Sequence, residues 1–172
     1  MTKTTAQTNQ SIAYDLSNNL MRLLMEFSKD FQKRILLLLQ ERGHEQIRPS
    51  HSVLFANLGL GAVRVTELAQ RAQVTQQAMG KMLKEVERMG YIERCIDQSD
   101  RRAKEIRLTA MGIELVKDCL EVINEVRGYY AQRVGEEELD QLESNLRSAV
   151  AKIGLEYLPE SWVEQSHPQE TA

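Results

Sequence analysis

Cysteine is scarce: Cys95 and Cys119 are the only two in 172 residues. They form no disulfide framework and no CxxC spacing, so a reducing, cytoplasmic setting is expected. Proline and glycine are also few, at 3 and 9, too few for the many tight turns of an all-β fold. The longest aliphatic block runs only from Ile35 to Leu39, far short of the roughly 18–20 residues a membrane span needs. No membrane partner is expected. The N-terminus is rich in Thr, Gln and Asn and lacks the basic-then-apolar pattern of a secretion signal. Catalytic constellations are missing too. There is no Ser/His/Asp set and no paired-carboxylate pattern, and Gly59 and Gly61 stand without a GxxxxGK context. His44, His51 and His167 are widely separated and far from cysteine partners at ligand spacing, which gives no basis for a metal site. The chain is therefore expected to hold no metal or cofactor and not to be an enzyme.

What is present is a good core fraction and an uneven charge distribution. Hydrophobic residues make up 42% and charged residues 27%, which excludes general disorder. The formal net charge is -3, and an acidic total argues against a dedicated nucleic-acid binder. The distribution argues the other way. From Arg64 to Arg107 there are ten Lys/Arg against seven Asp/Glu, net +3, which leaves -6 for the rest of the chain. One face suited to phosphates and another that avoids them fits this split.

The apolar pattern is mostly helical. Residues 1–11 are polar and expected to be a disordered tail. From Ile12, apolar residues at Leu16, Leu20, Leu23, Leu24, Phe27 and Phe31 recur at three- and four-residue steps and run into Ile35–Leu39. Gly43 suits the position just past the end of this first helix. The 35–39 block is apolar all round and should be covered on several sides, in part by a second copy of the chain. Pro49 opens a second helix with Val53, Leu54 and Leu58 on its apolar face. Val63–Val65 is a short extended piece. Thr66 is placed to cap a third helix carrying Leu68, Ala69 and Ala72. Thr75 caps a fourth, whose buried face is Ala78, Met79, Met82, Leu83 and Val86, and Gly90 closes it. Tyr91–Ile96 and Glu105–Leu108 read as two strands around the turn-forming cluster Asp97-Gln98-Ser99-Asp100. Thr109 caps a fifth helix with Ile113, Leu115, Val116, Leu120, Ile123 and Val126 inward. Gly135 separates it from a sixth, carrying Leu139, Leu142, Leu146, Val150 and Ile153. Residues 159–172 read as a C-terminal tail.

The expected fold is thus mainly α with a small β-hairpin: a winged helix-turn-helix lobe at 63–109, flanked by long helices at 12–43 and 110–155 within a single domain, 12–158. Two short helices joined by a tight turn place the second where it can enter a major groove. Outward on that helix lie Gln76, Gln77, Gly80, Lys81, Lys84 and Arg88. An early-turn Gln can pair with adenine, Lys81 can reach guanine or phosphate, and Lys84 and Arg88 suit phosphates. The adjacent Arg101 and Arg102 at the hairpin tip suit a narrow minor groove, with Asp100 placed to orient them. A basic winged helix can alternatively dock an acidic protein partner.

These residues resemble the MarR family of bacterial regulators. The resemblance is carried by Val65-Thr66-Glu67-Leu68-Ala69, Val74-Thr75-Gln76-Gln77-Ala78, Gly90-Tyr91-Ile92-Glu93-Arg94, and the run Asp97–Thr109 with Gly112 behind it. It implies a homodimeric transcription regulator, a repressor, that binds double-stranded DNA at a pseudo-palindromic operator. It places Gln76, Gln77 and Lys81 in the major-groove helix, Arg102 at the minor-groove position of the wing and Asp100 in support; with Thr75, Lys84, Arg88 and Arg101 these are the expected DNA-binding residues. It also implies a small-molecule effector of aromatic or phenolic character, for which Met25, Phe27 and His51 are the candidate lining. Gln98 and Gly80 depart from the family pattern, where Pro and a Ser or Thr contact residue are common. Cys95 and Cys119 read as inert thiols.

Overall fold

A computed structural model describes residues 2–59, 61–96 and 104–154, with side chains described from Thr8 onward except at Lys104. The elements run α1 (Thr2–Asn18), α2 (Leu20–Glu41), α3 (Pro49–Leu58), β1 (Val63–Arg64), α4 (Val65–Arg71), α5 (Gln76–Arg88), β2 (Ile92–Ile96), β3 (Lys104–Leu108), α6 (Ala110–Val134) and α7 (Glu136–Ile153). The expected architecture holds: mainly helical, with one small antiparallel sheet of order β1-β3-β2. Ile106 of β3 stands at its centre, paired with Val63 on one side and Arg94 on the other.

The N-terminal reading needs correction. Residues 1–11, expected as a disordered tail, are helical from Thr2. Ala6, Gln7, Gln10 and Ala13 are good helix formers, and no Gly or Pro occurs before Gly43. The helix expected to run unbroken from Ile12 is divided at Asn19. Ser17 Oγ, Asn18 Nδ2 and Asn19 Nδ2 donate back to the carbonyls of Ala13, Tyr14 and Asp15 at 2.8, 2.9 and 3.0 Å, which competes with the helix's own continuation. Asn19 then turns extended and accepts from the Arg22 N–H at 3.0 Å, capping α2. Three short polar side chains end one helix and start the next.

The far end of α2 closes as expected at Gly43, whose φ is +96°. The Gly43 N–H donates to the Gln40 carbonyl and the His44 N–H to the Leu39 carbonyl, the paired bonds of a Schellman ending. Within the apolar block only Leu39 is buried, and Leu37 remains exposed. Helix α4 starts from Arg64, not from the expected Thr66 cap. Val63 and Arg64 are held extended by pairing with Ile106 and Glu105, so the chain turns from strand straight into helix.

The core gathers Leu54, Leu68, Met79, Leu83 and Ile106, all without exposed surface, together with Val86, Val122 and Val126. On α6 the buried face runs through Gly112, Leu115, Val122, Val126 and Tyr130, leaving the expected inward residues Ile113 and Leu120 exposed. The cause is a close approach. A Cβ at Gly112 would lie 2.0 Å from the Tyr91 carbonyl oxygen, so this glycine faces the sheet and fixes the rotation of the whole helix. On α7 only Leu139 is buried, while Leu142 and Ile153 are exposed. The α6–α7 corner is clamped by Arg127, whose guanidinium reaches Glu136, Asp140 and Glu143. Among the described residues no helix is long and apolar enough to cross a membrane.

Candidate nucleic-acid interface

Helices α4 and α5 are joined through Gln73, which adopts φ +52°, and Thr75. The Thr75 side-chain oxygen accepts from the Ala78 N–H at 3.1 Å, as expected of an N-cap. Met79, Leu83 and Val86 bury one face of α5 against the core. Gln76, Gln77, Lys81, Lys84 and Arg88 are all exposed on the other side, with Gly80 partly covered among them. Ala78, expected inward, is exposed, and Met82 is half-buried. The buried row of 79, 83 and 86 turns the start of the helix outward around Ala78.

Charge on α5 is sorted by direction. Glu85 Oε2 lies 3.3 Å from His51 Nε2, and Glu87 Oε2 accepts from Arg94 Nε at 2.9 Å. Both carboxylates are thus engaged by groups of the scaffold. Lys81, Lys84 and Arg88 have no ion pair among the described residues. The helix therefore presents its cations outward and holds its anions against internal partners, an arrangement that raises positive potential on the open face.

Strands β2 and β3 pair from Ile92↔Leu108 to Ile96↔Lys104. The hairpin tip, with the expected contact residues Asp100, Arg101 and Arg102, lies outside the described residues. At the base of the hairpin, the Thr109 N–H donates to the Tyr91 carbonyl at 3.0 Å. The Thr109 side chain donates to the Gly90 carbonyl at 2.5 Å and accepts from the Gly112 N–H at 3.1 Å. Cross-strand pairing of Arg107 Nε with Glu93 Oε1 at 2.7 Å adds to it.

Two residues with structural consequence for this surface were not legible from the sequence. His44 is buried, with Nδ1 3.0 Å from the Tyr91 hydroxyl and Nε2 2.8 Å from Asp118 Oδ2. Tyr91 packs against both His44 and Phe55, and burial pushes its hydroxyl pKa up. The partners of His44 lie 47 and 74 residues away in sequence, and no local pattern announces such a contact.

The three residues expected to line an effector site fall in different surroundings. Met25 is exposed on α2, in a shallow surface depression with Arg22, Lys29 and Gln32. Phe27 is half-buried against Phe31 and Tyr130, with ring centroids at 6.1 and 4.9 Å. His51 is buried, at 1% exposed. Its Nδ1 accepts from the Arg48 N–H at 3.2 Å and its Nε2 faces Glu85, so both ring nitrogens are engaged within the protein. Nearby, the Asp30 carboxylate accepts from the Tyr130 hydroxyl and from Arg34 Nε, which together hold it below the usual carboxylate range. Arg34 and Arg133 stack on Tyr129 at 3.8 and 3.3 Å. Burial raises the Cys119 thiol. Among the described residues no group of three His, Cys, Asp or Glu side chains is placed to share a metal ion.

Residues 48–104 match the MarR family model. Over 136 residues the chain is 26% identical to the HTH-type transcriptional regulator SarZ of Staphylococcus haemolyticus (strain JCSC1435), covering 79% of this chain and 90% of that relative. Its fold is shared with wild-type MarR of E. coli in the apo form, at TM-score 0.65 and 19% identity over 77% of this chain and 97% of that one. It is shared also with the transcriptional repressor CouR, solved bound to a 23-mer DNA duplex, at TM-score 0.63 and 22% identity over 79% and 95%.

Proposed function

We propose that this chain is a sequence-specific transcription regulator of the MarR type, a repressor, that binds a pseudo-palindromic operator as a homodimer, a reading that starts from the match of residues 48–104 to the MarR family model. Helix α5 enters the major groove, with Gln76 and Gln77 at base edges, Lys81 at guanine or phosphate, and Lys84 and Arg88 at phosphates. Arg101 and Arg102 at the hairpin tip enter the adjacent minor groove, oriented by Asp100. The observation that carries this reading is the sorted charge of α5: three exposed cations without ion pairs among the described residues, and two carboxylates engaged by His51 and Arg94.

Dimerisation is supported by large apolar side chains left exposed on the long helices. Leu16, Leu20, Met21 and Leu23 stand at the N-terminal end, and Leu120, Val134, Leu142 and Ile153 on α6 and α7. So much apolar surface is characteristic of an interface. The two α5 helices would then lie about 34 Å apart, one turn of duplex. A small molecule that favours another spacing of the lobes would release the DNA by population shift.

Selection of duplexes from a random-sequence library, followed by electrophoretic retardation of the winner, tests the reading. A two-fold symmetric site bound by two chains is expected. Retardation without sequence preference at low salt refutes it. An Arg102→Ala variant should weaken DNA binding and reduce its salt dependence by roughly one contact per chain.

A further inference from the structure

Tyrosines aside, the polar side chains buried among the described residues are His44 and His51. Both are spent on the two elements that face DNA. His51 sits at the third position of α3 and reaches Glu85 of α5, while His44, just past α2, reaches Tyr91 at the head of the hairpin and Asp118 of α6.

We propose that His44 and His51 are positioning residues for DNA recognition, His51 setting how α5 is seated and His44 setting where the hairpin stands relative to the long helices. The inference rests on the DNA-binding reading above and concerns discrimination between sequences more than affinity.

Hydrogen-bond chemistry fixes the direction of each tether. A carboxylate only accepts, so in the neutral ring the proton of His51 is on Nε2 and donates to Glu85, and Nδ1 is left to accept from the Arg48 N–H. One imidazole thus ties the first turn of α3 to the last turn of α5. By the same logic His44 donates from Nε2 to Asp118 and accepts from the Tyr91 hydroxyl at Nδ1. The Tyr91 backbone closes the hairpin base through the Thr109 N–H, so its hydroxyl links that base to α6. Beside it Arg42 reaches the Asp118 carbonyl, Glu121 and Glu125 at 3.3, 3.0 and 3.2 Å, which locks the end of α2 to the same stretch of α6. An apolar contact at either place would tolerate sliding, because burial is not directional. A hydrogen bond from a buried ring is directional and costly to leave unmade.

The tethers make a prediction that simple charge does not. Glu85 lies on the helix proposed to meet phosphates, so on charge alone Glu85→Gln and Glu85→Ala should tighten binding to all DNA alike. If Glu85 positions α5, Gln still offers an oxygen to His51 and Ala does not. The probes are the duplex selected by the wild-type chain and a scrambled duplex of equal length, compared at one salt concentration by fluorescence anisotropy. Glu85→Ala and Tyr91→Phe are each expected to lower the ratio of the two affinities about 5–10-fold, while Glu85→Gln keeps it near the wild-type value. An unchanged ratio in Glu85→Ala and Tyr91→Phe overturns the proposal, as does identical behaviour of the Gln and Ala variants.

A second arm needs no DNA. Amide hydrogen exchange should quicken locally in α5 for Glu85→Ala and in β2 and β3 for Tyr91→Phe, ahead of any change in global unfolding. Uniform or absent changes overturn the tethers. If the wild-type chain shows no sequence preference, the functional reading fails, and this arm still decides whether the tethers exist.

Discussion

Replacing Lys81, Lys84 and Arg88 together by Gln removes the exposed cations of α5 and nothing from the core. Positions 81, 84 and 88 fall on one face of a helix and span about 10 Å along its axis at 1.5 Å per residue. That length can follow successive phosphates along a groove edge. Each phosphate contact contributes about 0.9 to the slope of log affinity against log salt. Three contacts per chain, doubled in a homodimer, amount to a slope difference of about 5. Between 50 and 200 mM salt the wild-type protein should therefore lose roughly 1,000-fold more affinity than the triple variant. Fluorescence anisotropy titrations at four or five salt concentrations measure the two slopes. Thermal unfolding should be nearly unchanged, since the three side chains are exposed and form no ion pair among the described residues. Parallel salt lines for the two proteins would refute the assignment of these cations to phosphates, whatever the absolute affinities.

Other perturbations probe the scaffold. Gly112→Ala places a methyl group 2.0 Å from the Tyr91 carbonyl and should cost about 2–3 kcal/mol, seen as a fall in Tm of roughly 5–10 °C. The Asp30 carboxyl is held low first by the Tyr130 hydroxyl and then by Arg34, so its stabilising effect is complete above the ordinary carboxylate range and is lost as pH falls through its lowered folded value. In a Tyr130→Phe variant the Asp30 titration followed by NMR should move up towards the unperturbed carboxylate value. Cys119, whose thiol is raised by burial, should react slowly with iodoacetamide at pH 7.5 in the native protein and rapidly after unfolding.

Features governed by neighbouring residues were legible in the sequence. Thr75 and Thr109 cap their helices through N–H groups three residues on, and Gly43 and Gly90 end theirs with positive φ. Such contacts need only local chain geometry. The Asn19 break was equally local, yet the strong apolar periodicity on either side of it outweighed the Ser17-Asn18-Asn19 run. The Thr66 cap failed for a different reason: strand pairing with β3 decides where α4 begins, and that partner lies some forty residues away. His44 and His51 were opaque for the same reason. Each looked like an isolated histidine because Asp118, Tyr91 and Glu85 become its neighbours only after folding. The expected DNA-facing residues of α5 share one exposed surface, whereas Met25, Phe27 and His51 do not share one environment.

The division of labour along α5 has a consequence for how such a protein can change. Gln76, Gln77, Lys81, Lys84 and Arg88 are exposed and lie outside the packing that holds the helix, while Met79, Met82, Leu83 and Val86 pack against the core and Glu85 and Glu87 engage His51 and Arg94. Substitutions at the first set cost the fold little, so the sequence preference proposed for this helix can be rewritten one residue at a time without passing through an unfolded intermediate. A duplicated copy could thus drift to a new target while its scaffold stays the same.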